Sequence, residues 1–387
     1  MEGTAMTSLH PNKENHTSMS SHHRPLARHV VAAALLSLAF VATACGSSDS
    51  SSSATTKAGS ATTAASGSTA TSTGATPAAL PKKIVIGYQE VPNGDLVVKH
   101  EKWLETAFGS NVKVEWKVFS SGGDVNTAIQ GGSVDIGLVG SSPVSRGLST
   151  GIAYEVPWIF DEIGTAEALV VRNGSGIKTI ADLKGKTVAT PFASTSHFSL
   201  LAALKDAGVD ASTVKIIDSE NDAIDSAWHA GQIDAAYTWN PTQADLRKTG
   251  TVLVTSADLA KKDQATYDLA VVTKKFASAY PAAVKLWVTQ EDRAVKLLNS
   301  DPATAAKDIA AELNISVADA QEQASELIFL PASEQAKATH LDGALGKDLL
   351  AQAEFNKEAG KVDAVAPAAT YEAGVDAQFA KAVAAGS

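Results

Sequence analysis

The chain has 387 residues, a formal net charge of −10 at neutral pH and a single cysteine. This length predicts about two domains, and an acidic balance without a basic stripe argues against a nucleic-acid-binding protein. One cysteine excludes an intramolecular disulfide, so we expect an apolar core to stabilise the folded part.

The N-terminal region has the pattern of an export signal. An apolar run, residues 30–41, follows basic residues and precedes Ala42-Thr43-Ala44 and Cys45. A basic segment, a short apolar run and small residues are typical of a signal peptide, and the run is short for a transmembrane helix. We therefore predict that residues 1–44 are a signal peptide; the alternative is an uncleaved anchor helix.

The sequence Ala42-Thr43-Ala44-Cys45 resembles a bacterial lipobox, with Ala42 in place of the preferred Leu. This resemblance implies cleavage before Cys45 and attachment of acyl chains to its sulfur, which would anchor the protein on the outer face of the cytoplasmic membrane. Residues 46–80 are almost wholly Ser, Thr, Ala and Gly, the composition of a flexible linker. We expect residues 45–81 to tether a folded head, and a cell-wall stalk is a compatible alternative.

From residue 82 onward, strand and helix patterns alternate. Strands are predicted at residues 84–88, 112–118, 134–139, 169–171, 187–189, 233–239 and 269–273. Helices are predicted at residues 125–130, 198–207 and 222–230, and the chain is mostly helical after Tyr280-Pro281. Such alternation predicts an α/β fold with parallel sheets and crossover helices.

Small polar residues follow three of these strands. Gly140-Ser141-Ser142-Pro143 and Ser194-Thr195-Ser196-His197 place hydroxyls and free N–H groups at helix starts, an arrangement that binds anions. The alternatives are an ordinary capped helix at the first position and a packed or capping His197 at the second. Trp239, at the end of the third strand, either walls a pocket or belongs to the core.

Two acids, Glu167 and Asp268, begin predicted strands and are candidates for holding a cation; solvated surface acids are the alternative. Serines next to His197 suggest a hydrolase, but the sequence contains no Gly-x-Ser-x-Gly elbow. It also contains no dinucleotide-binding, P-loop or zinc-protease motif and no Cys/His cluster. The sequence therefore predicts binding without catalysis, with no metal and no cofactor.

In this order, these segments resemble the family of taurine-binding proteins of ABC transporters. The resemblance covers about residues 83–380 and rests on Tyr88-Gln89, on residues 139–143, 167–171, 191–205, 227–228, 231–234 and 236–237, and on Trp239 and Pro241. The run from Ser194 to Lys205 is the most specific part. Relatives that bind aliphatic sulfonates or other small anions share the Ser-Ser-Pro turn.

The resemblance implies a two-lobed, type II periplasmic-binding fold with parallel-rich sheets, flanking helices and a ligand cleft between the lobes. Residues 82–170 and 268–387 would form lobe one and residues 171–267 lobe two. The chain would cross between them near Val170-Val171 and near Asp268-Leu269. The implied function is that of a monomeric, extracytoplasmic solute-binding protein that delivers taurine to a membrane permease.

The resemblance also implies the ligand contacts. They are Gln89, Gly140, Ser141, Ser142, Glu167, Ser194, Thr195, Ser196, His197, Trp239 and Asp268. The two helix starts would hold the sulfonate without an arginine. Asp268, or alternatively Glu167, would hold the ammonium, and Trp239 and Tyr88 would wall the carbon chain.

Two positions depart from the family pattern. Ala270 stands where Trp is common, which predicts a larger pocket that Trp158 or Phe160 refills. Asn240 replaces an apolar residue and adds a polar group at the mouth of the pocket. The alternatives are therefore another sulfonate as ligand or, in a different class, an enzyme on the same fold.

Overall fold

The computed structural model describes residues 79–386. The predicted signal peptide, Cys45 and nearly all of the predicted linker lie outside the described residues. Within residues 79–386, none of the helices combines the length and apolar character that a membrane crossing requires.

The strands form two sheets. From edge to edge, the six-stranded sheet consists of β11 (Leu327–Ile328), β4 (Tyr154–Ile163), β10 (Tyr267–Thr273), β3 (Ile136–Gly140), β1 (Lys83–Tyr88) and β2 (Lys113–Val118). The five-stranded sheet consists of β7 (Lys215–Asp218), β6 (Thr187–Thr190), β8 (Ala235–Trp239), β5 (Glu167–Arg172) and β9 (Gly250–Thr255). Strand β1 is parallel to β2 and β3, and β6 is parallel to β7 and β8, whereas β10 and β5 are antiparallel to their neighbours.

Helices surround both sheets. The helices that precede the strands of the second sheet in the sequence are α1 (Gly94–His100), α2 (Trp103–Phe108), α3 (Gly122–Gln130) and α4 (Ser141–Ser149). Those within the second sheet's sequence are α5 (Thr195–Asp206), α6 (Asn221–His229), α7 (Thr242–Arg247) and α8 (Ser256–Ala260), with 3₁₀ turns at Ile180–Leu183 and Ala211–Thr213. The C-terminal helices are α9 (Lys274–Ala279), α10 (Pro281–Ser300), α11 (Pro302–Leu313), α12 (Val317–Ala324), α13 (Ala332–Gln335), α14 (Ala344–Glu358), α15 (Ala368–Glu372) and α16 (Gln378–Ala384).

Both faces of each sheet are covered by apolar side chains. Ile84 and Ile86 of β1 belong to one core cluster of the first sheet, and Val85 between them belongs to the cluster on the other face, as expected for a strand whose successive side chains point to opposite faces. The second sheet has a core on each face as well. We call each sheet, with its helices, the first lobe and the second lobe.

One of the two points at which the chain crosses between the lobes differs from the prediction. Residues 167–170 were expected in the first lobe, but they are part of β5, which pairs with β8 and β9 in the second lobe. Because the hydrogen-bonded ladder runs through the whole strand, the chain changes sheets before Glu167 and not at Val170-Val171. The return occurs at β10, which starts at Tyr267, beside the predicted position.

The structure also corrects the role expected for Ala270. It lies opposite Trp158 in the first sheet, and both side chains are fully buried with Phe160 in one core cluster. The departure at Ala270 is therefore compensated within the core of the first lobe and does not enlarge the cleft.

Candidate functional site

A cavity lies where the two lobes meet. It is formed at the ends of β1, β3 and β10 from the first lobe and of β5 and β8 from the second lobe. The volume open to the centres of water molecules is about 30 Å³, which suits a few waters or a small solute. The predicted contacts that line it are Gln89, Gly140, Glu167, Ser194, Thr195, Trp239 and Asp268.

The starts of α4 and α5 face each other across this cavity. Gly140 precedes α4, and Ser194 precedes α5 as its N-cap. A Cβ atom on Gly140 would lie only 2.7 Å from Cγ2 of Thr195, so only a glycine permits the two helix starts to come this close. The first N–H groups of a helix have no partner within it, and the cavity therefore has anion-binding donors on both sides.

The hydroxyl of Ser194 is already engaged. It accepts a hydrogen bond from the His197 N–H at 3.1 Å and donates one to the carbonyl of Pro191 at 2.6 Å. Ser194 thus fixes the start of α5, and the Thr195 side chain and the backbone N–H groups are left as the donors on this side.

Ser141 and Ser142 do not line the cavity. The Ser141 hydroxyl accepts from the N–H of Tyr267 at 3.2 Å, and the Ser142 hydroxyl accepts from Nδ2 of Asn356 at 3.2 Å. Both hydroxyls therefore fasten α4 to β10 and α14. Each hydroxyl accepts in these bonds and keeps its own O–H as a donor, and the predicted contact of Ser141 and Ser142 with a ligand stays a prediction.

His197 also lies outside the cavity lining. Its ring stacks on Phe192 with 4.3 Å between ring centroids and 11° between the planes. Burial, and then the charges of Lys361 and Arg146, lower the pKa of His197 to about 3, so the imidazole is neutral. The structure favours the alternative of a packed histidine over a ligand contact.

The aromatic wall consists of Trp239 and not of Tyr88. Trp239 lines the cavity and packs against an apolar cluster that joins the lobes, formed by Val91, Ala166 and Leu327. Tyr88 instead packs edge-to-face against Trp116, with 6.1 Å between ring centroids. Tyr88, at the end of β1, packs against the core of the first lobe. The next residue in the chain faces the cleft.

That next residue, Gln89, is buried, and its Nε2 donates to the carbonyl of Leu138 at 3.0 Å. This bond holds the side chain between the ends of β1 and β3.

Glu167 and Asp268 both line the cavity, from different lobes. Burial raises the pKa of Asp268 to about 7, and a hydrogen bond with Asp161 opposes this rise. Burial raises the pKa of Glu167 to about 8, the hydroxyl of Ser196 opposes this rise, and the charge of Asp268 adds to it. Ser196 itself lies behind the cavity lining, and neither its hydroxyl nor the Glu167 carboxylate has a well-formed hydrogen bond.

Asp161 is a third acid beside the cavity, next to Asp268, and it was not predicted from the sequence. Asp161 is fully buried on β4 and accepts a hydrogen bond from Nδ2 of Asn93 at 3.2 Å. Burial, followed by the charge of Asp268, raises its pKa well above the ordinary range. The sequence signal for Asp161 is that it directly follows the apolar run from Trp158 to Phe160.

Asn240 reaches the cavity and connects the lobes at its rim. Its Nδ2 donates to Oε2 of Glu326 at 2.7 Å, and Nη1 of Arg247 donates to Oε1 of the same carboxylate at 2.6 Å. Glu326 lies directly before β11 of the first lobe, whereas Asn240 and Arg247 belong to the second. The polar group predicted at the mouth is thus part of an interlobe clamp.

Within residues 79–386, one group away from the cavity has the residue types of a metal site: Asp225, His229 and Asp245. His229 already pairs with both acids, and Lys248 pairs with Asp245 at 2.9 Å. These contacts describe a surface ion-pair cluster.

The chain matches one family model, described as NMT1/THI5 like, over residues 109–305. It is 35% identical to the taurine-binding periplasmic protein of Escherichia coli over 66% of this chain and 81% of that protein. It is 27% identical to an aliphatic sulfonates-binding protein of the same organism, over 64% of this chain and 84% of that protein.

Solved structures agree on the fold. The alkanesulfonate-binding protein of Xanthomonas axonopodis pv. citri, bound to MOPS, superposes with a TM-score of 0.66 at 24% identity, over 75% of this chain and 99% of that one. A desulfurization enzyme superposes with a TM-score of 0.54 at 16% identity, over 79% and 99% of the two chains. The predicted two-lobed periplasmic-binding fold is confirmed, and the chain belongs to the NMT1/THI5-like family, in the group that contains the taurine-binding periplasmic protein.

Proposed function

We propose that the protein is the solute-binding component of an ABC importer and that its ligand is taurine. The observation that carries this proposal is the pairing, in one small cavity, of two helix starts with the carboxyl groups of Glu167 and Asp268. The helix starts suit a sulfonate, a permanent anion with three acceptor oxygens. The carboxyl groups suit the ammonium at the other end of a short zwitterion.

The cavity also favours a ligand of small size. Gly140 and Thr195 bring the lobes close together, so a bulky sulfonate would hold the helix starts apart. Trp239 and the apolar cluster beside it provide a wall for two methylene groups. Closure of the lobes around the ligand would create the form that a membrane permease recognises.

The names of the relatives support an exported location. We propose that residues 1–44 direct export, that Cys45 carries the lipid anchor, and that a monomeric head works beside its permease. Mass spectrometry of the membrane-bound protein, compared with a Cys45→Ser variant, tests the anchor. An unmodified Cys45 on a membrane-bound chain would refute it.

Calorimetric titration of residues 79–387 with taurine tests the ligand. We expect saturable binding, and Asp268→Asn should weaken taurine much more than ethanesulfonate, which lacks the ammonium. Asp263→Asn, a change at an exposed acid, is the matched control and should leave both affinities unchanged. Absence of heat at millimolar taurine would overturn the proposal.

A second candidate is an alkanesulfonate, favoured by the names of the aliphatic sulfonates-binding relative and the alkanesulfonate-binding structure. The two acids that line the cavity, Glu167 and Asp268, argue against it, because an alkanesulfonate brings no positive charge to them. Tighter binding of ethanesulfonate than of taurine would establish this alternative.

An enzyme on this fold has less support. Ser194 is engaged as a helix cap and His197 does not line the cavity, so the Ser–His pair of the sequence does not form a nucleophile and base facing the ligand.

A further inference from the structure

Asp161 and Asp268 are directly opposed in neighbouring strands. They are register partners in the antiparallel pair β4–β10, and the register shifts immediately after them, where Leu269 pairs with Ile159. This irregularity leaves Phe160 without a partner, and such a bulge redirects the side chains beside it. Two opposed residues of an antiparallel pair have their side chains on the same face, about 5 Å apart at Cβ, so the two carboxyl groups meet inside the lobe.

Two carboxylates cannot both be charged at this separation in a buried site without a large cost. Asp161 is fully buried and Asp268 is 9% exposed. One proton must therefore lie between them, and its position decides which of the two faces the ligand as an anion.

The deeper burial of Asp161 favours that residue as the holder of the proton, because burial disfavours the charged form. Asn93 donates to one oxygen of Asp161, which opposes this preference in part, and it fixes which oxygen of Asp161 is free to carry the proton. Oδ1 of Asn93 accepts from the N–H of Asp95 at the start of α1, at 3.2 Å, so its Nδ2 must be the group that faces Asp161. The amide donates to Oδ2 of Asp161, which must act as an acceptor there. Oδ1 of Asp161 is buried without a hydrogen-bond partner among the described residues, so it is the oxygen that can carry the proton toward Asp268.

The other charged groups around Asp161 do not supply a compensating cation. Glu167 of β5 adds a further negative charge. Glu162, the next residue in β4, pairs with His340, and at the rim of the cleft Arg247 is paired with Glu326. Neutralisation of Asp161 by its own proton is the remaining solution within the described residues.

We infer that Asp161 is a positioning residue of the cleft: as a neutral carboxylic acid it donates a hydrogen bond to Asp268 and maintains Asp268 as the carboxylate that receives the ligand's amine. This inference rests on the proposed function for the identity of the ligand. The protonation of Asp161 is a property of the ligand-free protein and is independent of the proposed function.

The test compares two substitutions at Asp161. In Asp161→Asn, the amide oxygen can accept from Asn93 and the amide nitrogen can donate to Asp268, so the variant reproduces the neutral acid. In Asp161→Leu, the size is similar but both hydrogen bonds are lost. Taurine affinity is measured by calorimetry from pH 5.5 to pH 8.5 for the wild type and both variants.

We expect Asp161→Asn to bind taurine within about threefold of the wild type with an unchanged pH midpoint. Asp161→Leu should bind at least tenfold more weakly at pH 7, and its midpoint should move to higher pH because Asp268 loses a donor. A loss of more than tenfold in Asp161→Asn would mean that Asp161 is a charged ligand contact and would overturn the inference. An unchanged midpoint in a folded Asp161→Leu variant would overturn it as well.

Infrared difference spectroscopy of the ligand-free protein separates this inference from the proposed function. At pH 7 the wild type should show the carbonyl stretch of a buried protonated carboxylic acid, and Asp161→Asn should lack one such band. Identical carboxylic-acid bands in the wild type and in Asp161→Asn would refute the protonation of Asp161, whether or not taurine binds.

Discussion

Gly140, at the start of one helix, lies in close contact with Thr195, at the start of the other. An added Cβ on Gly140 would lie 2.7 Å from Cγ2 of Thr195 and 3.6 Å from Cδ of Pro143. The first distance is too short for two carbon atoms, and Thr195 lies in the first turn of a helix, so it cannot easily move aside. The absence of a side chain at Gly140 is therefore a requirement of the closed cleft.

Gly140→Ala should weaken taurine binding by roughly fivefold to a hundredfold, because overpacking of this kind costs about 1–3 kcal/mol, while the thermal stability of the ligand-free protein stays nearly unchanged. Gly123→Ala is the matched control, since its Cβ would lie 3.6 Å from that of Ala193, an ordinary contact. The double variant Gly140→Ala, Thr195→Ser removes the offending methyl and should recover most of the affinity. Failure of this rescue would show that Thr195 is not the obstacle.

Taurine affinity should decrease as the pH falls from 8 to 6. The pKa of Asp268 is raised to about 7 and that of Glu167 to about 8, so acidification protonates the groups that would receive the ammonium. If one carboxylate is required, affinity falls up to about tenfold for each pH unit below its pKa. Ethanesulfonate has no ammonium, and calorimetry should show that its affinity stays constant or rises over the same range. Parallel pH profiles for both ligands would contradict an ammonium-binding role of the acids.

The local patterns of the sequence were sufficient for much of this site. Ser194 before an apolar helical stretch predicted the start of α5, and a polar turn after a buried strand predicted the start of α4; both helix starts face the cavity. These predictions succeed because a helix start depends on neighbouring residues only.

The directions of individual side chains were not predictable in this way. The Ser141 and Ser142 hydroxyls accept hydrogen bonds from Tyr267 and Asn356, which lie 126 and 214 positions further along the chain. The same holds for Asp161, whose role depends on a register with Asp268 in a strand that is remote in sequence. Strand β4 itself was not predicted, because it is buried on both faces and therefore lacks the alternation of a half-exposed strand.

The clamp at the rim should contribute to the lifetime of the complex. Glu326 accepts from Arg247 and from Asn240 of the opposite lobe, and the Arg247 and Glu326 side chains are only 27% and 13% exposed. Glu326→Ala should raise the dissociation constant for taurine about fivefold, equivalent to about 1 kcal/mol, mainly through faster dissociation. Stopped-flow measurement of the dissociation rate checks this. Lys248→Ala removes an ion pair contained within the second lobe; it is the control and should not change the dissociation rate. An equal effect of both variants would show that the interlobe contact of Glu326 does not slow dissociation.

A second pair of buried acids should affect stability without affecting the ligand. Asp95 of α1 and Glu291 of α10 are fully buried, and none of their four carboxylate oxygens has a hydrogen-bond partner. Burial raises the pKa of Asp95 to about 8, and burial together with Asp95 raises that of Glu291 well above its ordinary value. Between the unfolded and the folded pKa, the folded state holds more protons than the unfolded state, so stability falls as the pH rises.

Each such group lowers the free energy of unfolding by about 1.4 kcal/mol per pH unit within that interval. Glu291→Gln removes one of the two groups, and the loss of stability between pH 5 and pH 8 should therefore be smaller in this variant than in the wild type. Urea unfolding at both pH values measures the difference, with Glu334→Gln at a surface ion pair as the control. Taurine affinity should stay the same in both variants, because neither Asp95 nor Glu291 lines the cavity. Equal losses of stability in the wild type and in Glu291→Gln would show that this pair does not hold its protons in the folded state.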